Sequence, residues 1–205
     1  MKKILAAVLL STSANAFATD LVDVGKLNKN IVVDMRYNTS NNFMMRKLKG
    51  YNSNTCYLKK EAAQALAKAQ EDIEKEGLSV KVFDCYRPQE AVDDMHDEVR
   101  QHKGDRLDPA YMPHVDKNKL IDLGYIARKS MHTFGRAADL TLVDMKSKKE
   151  LDMGTPFDTF DNASWTADTT ISKQAQSNRK KLLSIMERHG FDNFNKEWWH
   201  FNYRK

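Results

Sequence analysis

Two short segments of this 205-residue sequence carry histidines and carboxylates at spacings that suit a metal ion. In the first segment, His132 and Asp139 are seven residues apart, and Gly135 lets the chain turn so that imidazole and carboxylate converge. In the second, Glu197 and His200 are three residues apart, so one can bind a metal while the other stays free. These residue types and spacings indicate metal-ion chemistry.

The three candidate ligands are much more specific together than singly, because a lone histidine is more often a hydrogen-bonded structural residue. Together, His132, Asp139 and His200 form a ligand set for one Zn²⁺ that leaves the fourth position to water, as a catalytic site requires. Glu197 beside such a site can take a proton from water that attacks a carbonyl and pass it to the leaving amine. The remaining histidines are predicted to be surface residues: His96, His102, His114 and His189.

The order of these motifs resembles that of a known enzyme family. The chain reads Ser-x-His-x-x-Gly-x-x-x-Asp over 130–139 and Glu-x-Trp-His over 197–200. This combination resembles the zinc D-Ala-D-Ala dipeptidases, the VanX-like branch of peptidase family M15. Further stretches follow the family pattern in order, so that essentially all of the chain after residue 18 is covered: residues 37–43, 50–51, 82–88 and 153–158.

The resemblance implies a zinc peptidase with Glu197 as the general base and Arg87 as the residue that stabilises the tetrahedral oxyanion. Independently of the resemblance, a permanently charged guanidinium at a strand end, just before Pro88, suits negative charge that develops only in the transition state. The structural alternative for Arg87 is an ion pair with Asp84.

The same matching implies the substrate contacts. Asp158 and Tyr37 would hold the free ammonium of a small D,D-dipeptide, and Ser130 would lie in the substrate pocket. A carboxylate that anchors an ammonium selects dipeptides, since a longer peptide would place an amide there. The structural alternatives are that Asp158 caps a turn at Thr159 and that Tyr37 is a core residue.

Hydrophobic periodicity indicates the elements that must position these residues. Apolar residues at helical spacing predict a helix over about 58–76, and the alternation that follows predicts a strand over 78–82 that delivers residues 84–87 to its end. The other predicted elements are a helix opened by Pro88, a loop over 103–118, a strand over 137–143, a long helix over 172–189 and a terminal strand over 198–203.

The predicted fold class is α+β. Helices and strands are interspersed, but hairpin-length links such as 144–149 indicate neighbouring antiparallel strands rather than a doubly wound sheet. We therefore expect a single domain with a small, mainly antiparallel central sheet flanked by helices, and with the zinc site in a cleft.

The first eighteen residues have the pattern of a secretory signal peptide. A basic start at residues 1–3 precedes an apolar run over 4–10 and small residues up to Ala18. We expect cleavage after Ala18, or alternatively after Ala16, and a catalytic domain over 19–205. A non-cleaved amphipathic start is the alternative, because the run is shorter than the ~20 residues that span a bilayer. The prediction is an exported, periplasmic protein with no membrane span after cleavage.

The chain has two cysteines, Cys56 and Cys85. An even number in an exported chain favours a disulfide, and closing this loop would stabilise the fold by roughly 3 to 4 kcal/mol. The alternatives are two buried thiols, or Cys85 as a nucleophile, for which only Arg87 offers local activation.

The charge pattern argues against a nucleic-acid partner. The 33 Lys plus Arg and 28 Asp plus Glu residues are intermixed, and the formal net charge of +5 falls to 5 − 2 = +3 without Lys2 and Lys3. The one basic run, 179–181, is predicted to lie on a helix surface.

Two other functions remain open at this stage. A zinc D,D-carboxypeptidase or endopeptidase acting on longer wall peptides would need an open cleft in place of the ammonium pocket. A non-catalytic envelope protein would be expected to lack Glu197 or Arg87, and both are present. An exported dipeptidase would meet wall fragments outside the membrane, which favours scavenging or turnover over glycopeptide resistance.

Overall fold

The computed structural model describes residues 20–204, so the predicted signal peptide lies outside the described residues. Its strands are β1 (Leu21–Asp23), β2 (Val32–Val33), β3 (Tyr57–Lys59), β4 (Leu78–Asp84), β5 (Ala137–Asp144), β6 (Phe191–Asn193) and β7 (His200–Tyr203). Its helices are α1 (Val24–Leu27), α2 (Lys60–Glu74), α3 (Gln89–His102) and α4 (Lys173–Arg188). Within this part of the chain, no helix combines the length and apolar character needed to cross a membrane.

The central sheet has five strands in the order β2-β4-β5-β7-β6, and only the β2–β4 pair is parallel. β4 and β5 form its buried centre, because almost every residue of both strands is shielded from solvent. The α+β prediction with a small, mainly antiparallel sheet is therefore confirmed. The separate two-stranded sheet of β1 and β3 was not predicted, because each strand has only three residues.

Helix α2 covers the sheet with the apolar face that its periodicity predicted. Ala62, Leu66, Ala69 and Ile73 are all fully buried. Gln70 lies on the same face, where its Oε1 accepts the Val80 N–H at 2.7 Å, so this buried amide is paired with β4. The helix ends at Glu74, close to the predicted end at residue 76.

Several local predictions need correction. His96 is buried in α3, because it lies on the helix face that also carries Val92, Met95 and Val99. Arg179 is buried in α4, where its guanidinium donates to the backbone carbonyls of Met153, Trp165 and Ala163. The segment over 103–118 is a loop that contains short 3-10 turns at 109–111 and 117–119, and the terminal strand begins at His200 rather than at Trp198.

Cys56 and Cys85 form a disulfide bond, with their Cα atoms 5.3 Å apart. Both residues are fully buried. The bond joins the residue before β3 to the residue after β4 and leaves no thiol for a nucleophilic role.

Candidate metal centre and active-site cleft

The register of the central sheet aligns three polar residues across neighbouring strands. Asp84 at the end of β4 pairs with Asp139 of β5, and Asp139 pairs with His200 at the start of β7. Directly paired residues of adjacent strands have side chains close together on the same face. Asp84 and His200, which are 116 positions apart in the sequence, are thereby brought to the two sides of Asp139.

The loop before β5 supplies the second histidine. Residues 131–134 form a 3-10 turn, and the Ser130 side chain caps it by accepting the His132 N–H at 3.2 Å. Gly135 ends the turn at a φ of +64°, where a Cβ atom would lie 2.6 Å from the Leu21 side chain. Only glycine suits this position, and the turn directs His132 back towards Asp139.

The three predicted metal ligands converge. Asp139 Oδ1 lies 3.2 Å from His132 Nε2 and 3.0 Å from His200 Nδ1, and the two ring nitrogens are 3.2 Å apart. Tetrahedral zinc with ligand bonds of about 2.0 to 2.1 Å requires separations of about 3.3 Å between ligand atoms, so the arrangement fits this ion. Burial acts to raise the pKa of Asp139, but the two imidazoles outweigh it and hold the pKa well below its usual range.

The outer nitrogens of both imidazoles also have partners. His132 Nδ1 lies 2.7 Å from the Cys85 carbonyl oxygen, and His200 Nε2 lies 2.9 Å from Asn202 Oδ1. Because these oxygens accept hydrogen bonds, each ring carries its proton on the outer nitrogen and turns the other nitrogen towards Asp139. Such outer partners fix the ring orientation of histidines that bind metals.

Glu197 lies beside the ligand cluster without belonging to it. Its Oε2 is 3.9 Å from His200 Nδ1, and the side chain is almost completely buried. Burial raises the pKa of Glu197 to about 8, with His200 opposing the rise and Asp139 adding to it. A carboxyl group in this state can exchange a proton near neutral pH.

Arg87 reaches the same cluster from the end of β4. Its Nε donates to Asp84 Oδ2 at 2.8 Å, and its Nη2 lies 3.6 Å from Asp139 Oδ2. The other oxygen of Asp84 accepts the Tyr51 hydroxyl at 2.6 Å. The ion pair considered as the structural alternative is therefore present, and it holds the guanidinium at the cleft.

Tyr37 and Asp158 form a second polar pair in the same cavity. The Tyr37 hydroxyl donates to Asp158 Oδ2 at 2.9 Å, although 121 residues separate them. The Thr159 N–H instead donates to the Pro156 carbonyl, so the carboxylate is not used as a cap for this turn. Burial and the charge of Asp139 raise the pKa of Asp158 well above its usual range. Tyr37 is also a core residue, in edge contact with Phe43.

One cavity of about 250 Å³ gathers every residue predicted to act in binding or chemistry. Its lining includes Tyr37, Arg87, Ser130, His132, Asp139, Asp158, Glu197 and His200. Phe43, Met95 and Phe160 add an apolar surface to the same cavity. The site is thus small and combines polar groups with an apolar surface.

A family model described as "D-ala-D-ala dipeptidase", Peptidase_M15, matches residues 17–205. The chain belongs to this family of peptidases. It is 36% identical over 168 residues to a D-alanyl-D-alanine dipeptidase of Enterococcus faecium, a match that covers 82% of this chain and 83% of the relative. It is 32% identical to the D-alanyl-D-alanine dipeptidase of Escherichia coli K12, over 89% of this chain and 84% of the relative.

Two solved structures align with this M15 family member. The LdcB LD-carboxypeptidase aligns with a TM-score of 0.50 and 18% identity, over 92% of this chain and 70% of the other. The vancomycin-resistance D,D-pentapeptidase VanY, in complex with Zn(II), aligns with a TM-score of 0.44 and 17% identity, over 86% and 88% of the two chains.

Sequence reasoning about this family member missed the residues that orient the predicted ones. Asn202, Tyr51 and the carbonyl of Cys85 each hold a cleft residue. The family pattern includes 50–51 and 82–88, but no orienting role was assigned to them. The alternation of β7 gave one available signal, because Asn202 is two residues after His200 and therefore on the same strand face. Asp84 was considered only as an ion-pair partner.

Proposed function

We propose that this peptidase is a zinc-dependent D-alanyl-D-alanine dipeptidase that hydrolyses D-Ala-D-Ala to two molecules of D-Ala. The observation that carries the proposal is the composition of one small cavity. It combines a three-ligand cluster and a buried Glu197 with the hydrogen-bonded Tyr37–Asp158 pair. The named activity of the relatives supports the choice of substrate.

The residues that would hold the zinc are His132, Asp139 and His200. Their donor set of two imidazoles and one carboxylate is typical of catalytic zinc, and the separations of their ligand atoms fit the ion. Zinc bound there would polarise the substrate carbonyl and lower the pKa of water. The buried carboxylate of Asp139 neutralises part of the ion's charge.

Glu197 acts as the general base. A cation held by the neighbouring ligands lowers the pKa of Glu197 from about 8 and favours its carboxylate form at neutral pH. The carboxylate takes the proton of the attacking water and then gives it to the nitrogen of the leaving D-Ala. Burial keeps this proton from bulk water between the two transfers.

Arg87 stabilises the negative charge on the tetrahedral oxygen. Its Nε is occupied by Asp84, which fixes the plane of the guanidinium with Nη2 3.6 Å from Asp139 Oδ2. A donor fixed before the reaction loses little free energy to reorganisation, so its interaction strengthens as the charge develops.

Asp158 and Tyr37 bind the ammonium of the dipeptide. An ammonium supplies the charge partner that the buried carboxylate of Asp158 lacks, and the Tyr37 hydroxyl fixes the orientation of the carboxylate. An amide at this position would leave Asp158 without that partner, which disfavours N-terminally extended peptides. Ser130, which also lines the cavity, lies in the substrate pocket.

We also propose that the chain is exported and acts in the periplasm on dipeptides released from the wall. The basic-then-apolar start of the sequence supports cleavage after Ala18 and a catalytic domain over 19–205. The buried Cys56–Cys85 disulfide supports an oxidising compartment.

The decisive experiment compares D-Ala release by the zinc-loaded protein from D-Ala-D-Ala and from a pentapeptide that ends in D-Ala-D-Ala. We expect rapid release from the dipeptide and little from the pentapeptide. Glu197→Gln is the matched control, which should keep zinc but lose roughly 100- to 10,000-fold in kcat. Preferential cleavage of the pentapeptide would instead identify a D,D-carboxypeptidase.

A further inference from the structure

Cys85 occupies a central position between the strand end and the metal centre. Its N–H donates to Asp84 Oδ1 at 2.9 Å, and its carbonyl accepts the Nδ1 proton of His132 at 2.7 Å. The next residue but one, Arg87, donates its N–H to the His132 carbonyl at 3.1 Å. The path of the backbone at Cys85 therefore sets both the orientation of His132 and the place from which Arg87 extends.

The other half of the disulfide is anchored to a different part of the chain. The Cys56 carbonyl accepts the Val24 N–H at 3.0 Å, and Tyr57, which begins β3, accepts the Tyr86 N–H at 2.9 Å. Lys59 at the end of β3 donates its N–H to the Gly135 carbonyl at 2.8 Å. The segment over 56–59 thus lies against both the end of β4 and the loop that carries His132.

Besides the backbone itself, the disulfide is the one covalent link between the segment over 56–59 and the residues that follow β4. The register of β4 against β5 shifts between Val82 and Asp84, so regular strand pairing is interrupted just before Cys85. Both sulfur-bearing residues are fully buried, so the bond is shielded from dissolved reductants in the folded protein. Its effect on the site is therefore permanent once it has formed.

We propose that the Cys56–Cys85 disulfide is a positioning element of the metal centre, and that the oxidised chain alone holds His132 and Arg87 in their working geometry. The proposal rests on the proposed function for the role of zinc. In a backbone freed at Cys85, the carbonyl that orients His132 is held to β3 only through the neighbouring hydrogen bond from the Tyr86 N–H to the Tyr57 carbonyl, so its position is less restricted. The ring then samples orientations in which Nε2 does not face Asp139.

The proposal makes assembly of the site conditional on thiol oxidation. The two cysteine thiols react with a small-molecule disulfide such as oxidised glutathione, which gives the protein disulfide and two molecules of the reduced thiol. The protein loses two electrons and two protons, and the added disulfide gains them. A chain whose thiols are still reduced would bind zinc weakly and hydrolyse slowly.

The test uses the parental chain folded in two ways, with its thiols kept reduced and with its disulfide formed. Zinc affinity is measured by competition with a chelator, and kcat and KM are measured on D-Ala-D-Ala. We expect the reduced chain to lose roughly 10- to 100-fold in zinc affinity, the range for lost outer partners of metal ligands. The kcat should fall more than KM rises, and reoxidation should restore both constants.

Two variants separate positioning from general loss of stability. The double variant Cys56→Ala/Cys85→Ala should show the same loss of zinc affinity as the reduced chain and should not respond to oxidant. Leu182→Ala removes a fully buried side chain of α4 and serves as a control that lowers the melting temperature away from the cleft. It should keep the parental zinc affinity.

Each outcome decides the proposal. The proposal would be overturned if the folded reduced chain had a zinc affinity and a kcat within about twofold of those of the oxidised chain, far short of the expected loss. Failure of both the reduced chain and the double variant to fold, where Leu182→Ala folds, would also overturn it and assign the bond to global stability. If the oxidised protein binds zinc but does not cleave D-Ala-D-Ala, the proposed function fails, while the zinc affinities still decide the role of the disulfide.

Discussion

Asp139 and Asp158 are buried to almost the same degree in one cavity, yet their surroundings shift their pKa values in opposite directions. Asp139 lies between two imidazoles, and its pKa is held well below the usual range. Asp158 has the neutral Tyr37 hydroxyl as its hydrogen-bond partner, and burial raises its pKa well above the usual range. The first carboxyl group is prepared for a resident cation, whereas the second lacks one in the free protein.

The difference shows how one cleft can use two buried acids for two purposes. A carboxylate with several partners is already ionised and can hold a metal permanently. A carboxyl group with too few partners ionises favourably only when a cation arrives, so its binding free energy depends on the ligand. Under the proposed function that cation is the substrate ammonium, and Asp158 determines selectivity rather than chemistry.

The largest effect is expected at the predicted metal ligands. Asp139→Ala removes the carboxylate shared by both histidines, so bound zinc should fall from one per chain to substoichiometric amounts and hydrolysis should fall to background. Metal analysis and circular dichroism would measure zinc content and fold together. Asp144→Ala, at the half-buried far end of the same strand, is the matched control. Stoichiometric zinc in the folded Asp139→Ala protein would contradict the assignment.

A smaller effect is expected at the residue proposed to bind the substrate ammonium. Asp158→Asn should keep stoichiometric zinc but lose at least about 100-fold in kcat/KM on D-Ala-D-Ala, equivalent to about 2.8 kcal/mol of lost transition-state binding. Steady-state kinetics with zinc analysis of the same sample would check both parts. Asp161→Asn, three residues further along, should leave kcat/KM close to the parental value. Loss of zinc in Asp158→Asn would mean that metal binding and ammonium binding do not depend on separate residues.

The smallest effect concerns stability without metal. Glu197 has a pKa of about 8 when folded and near 4.5 when unfolded, and the pKa of Asp158 is raised in the same direction. The folded state therefore holds protons that the unfolded state has lost, so this stabilisation is fully present below about pH 4 and is lost as pH rises towards 8. The free energy of unfolding should decline with pH in this window.

Urea titrations of the metal-free protein between pH 5 and pH 8 would measure that decline. Each retained proton contributes about 1.4 kcal/mol per pH unit, so Glu197→Gln and Asp158→Asn should each make the slope shallower by up to that amount. A slope unaffected by either substitution would show that neither group is protonated in the folded protein.

The parts of this molecule that the sequence predicts well are those with a local signal. The periodicity around Leu66 predicted α2 within two residues at each end, and the spacing of His132 and Asp139 predicted a ligand cluster that the structure brings together. Tyr37 and Asp158 are 121 residues apart in the sequence, and the family resemblance rather than spacing assigned both to the substrate ammonium; the hydrogen bond between them was not predicted.

The remaining features depend on tertiary contacts that leave little trace in local sequence. Arg179 lies in a basic run that is typical of a helix surface, yet three backbone carbonyls from a distant loop satisfy its buried guanidinium. His96 occupies a polar stretch of α3 and is buried because it shares a helix face with Val92, Met95 and Val99. The pairing of β1 with β3 depends on strands too short to show alternation.

The comparison of substrates with and without a free ammonium tests the central claim most directly. We expect zinc-loaded protein to cleave D-Ala-D-Ala with a kcat/KM at least about 100-fold higher than that for N-acetyl-D-Ala-D-Ala, because acetylation removes the charge that Asp158 requires. Asp158→Asn should lose most of this discrimination by slowing cleavage of the free dipeptide. Similar kcat/KM values of the parental protein for the two substrates would contradict the account.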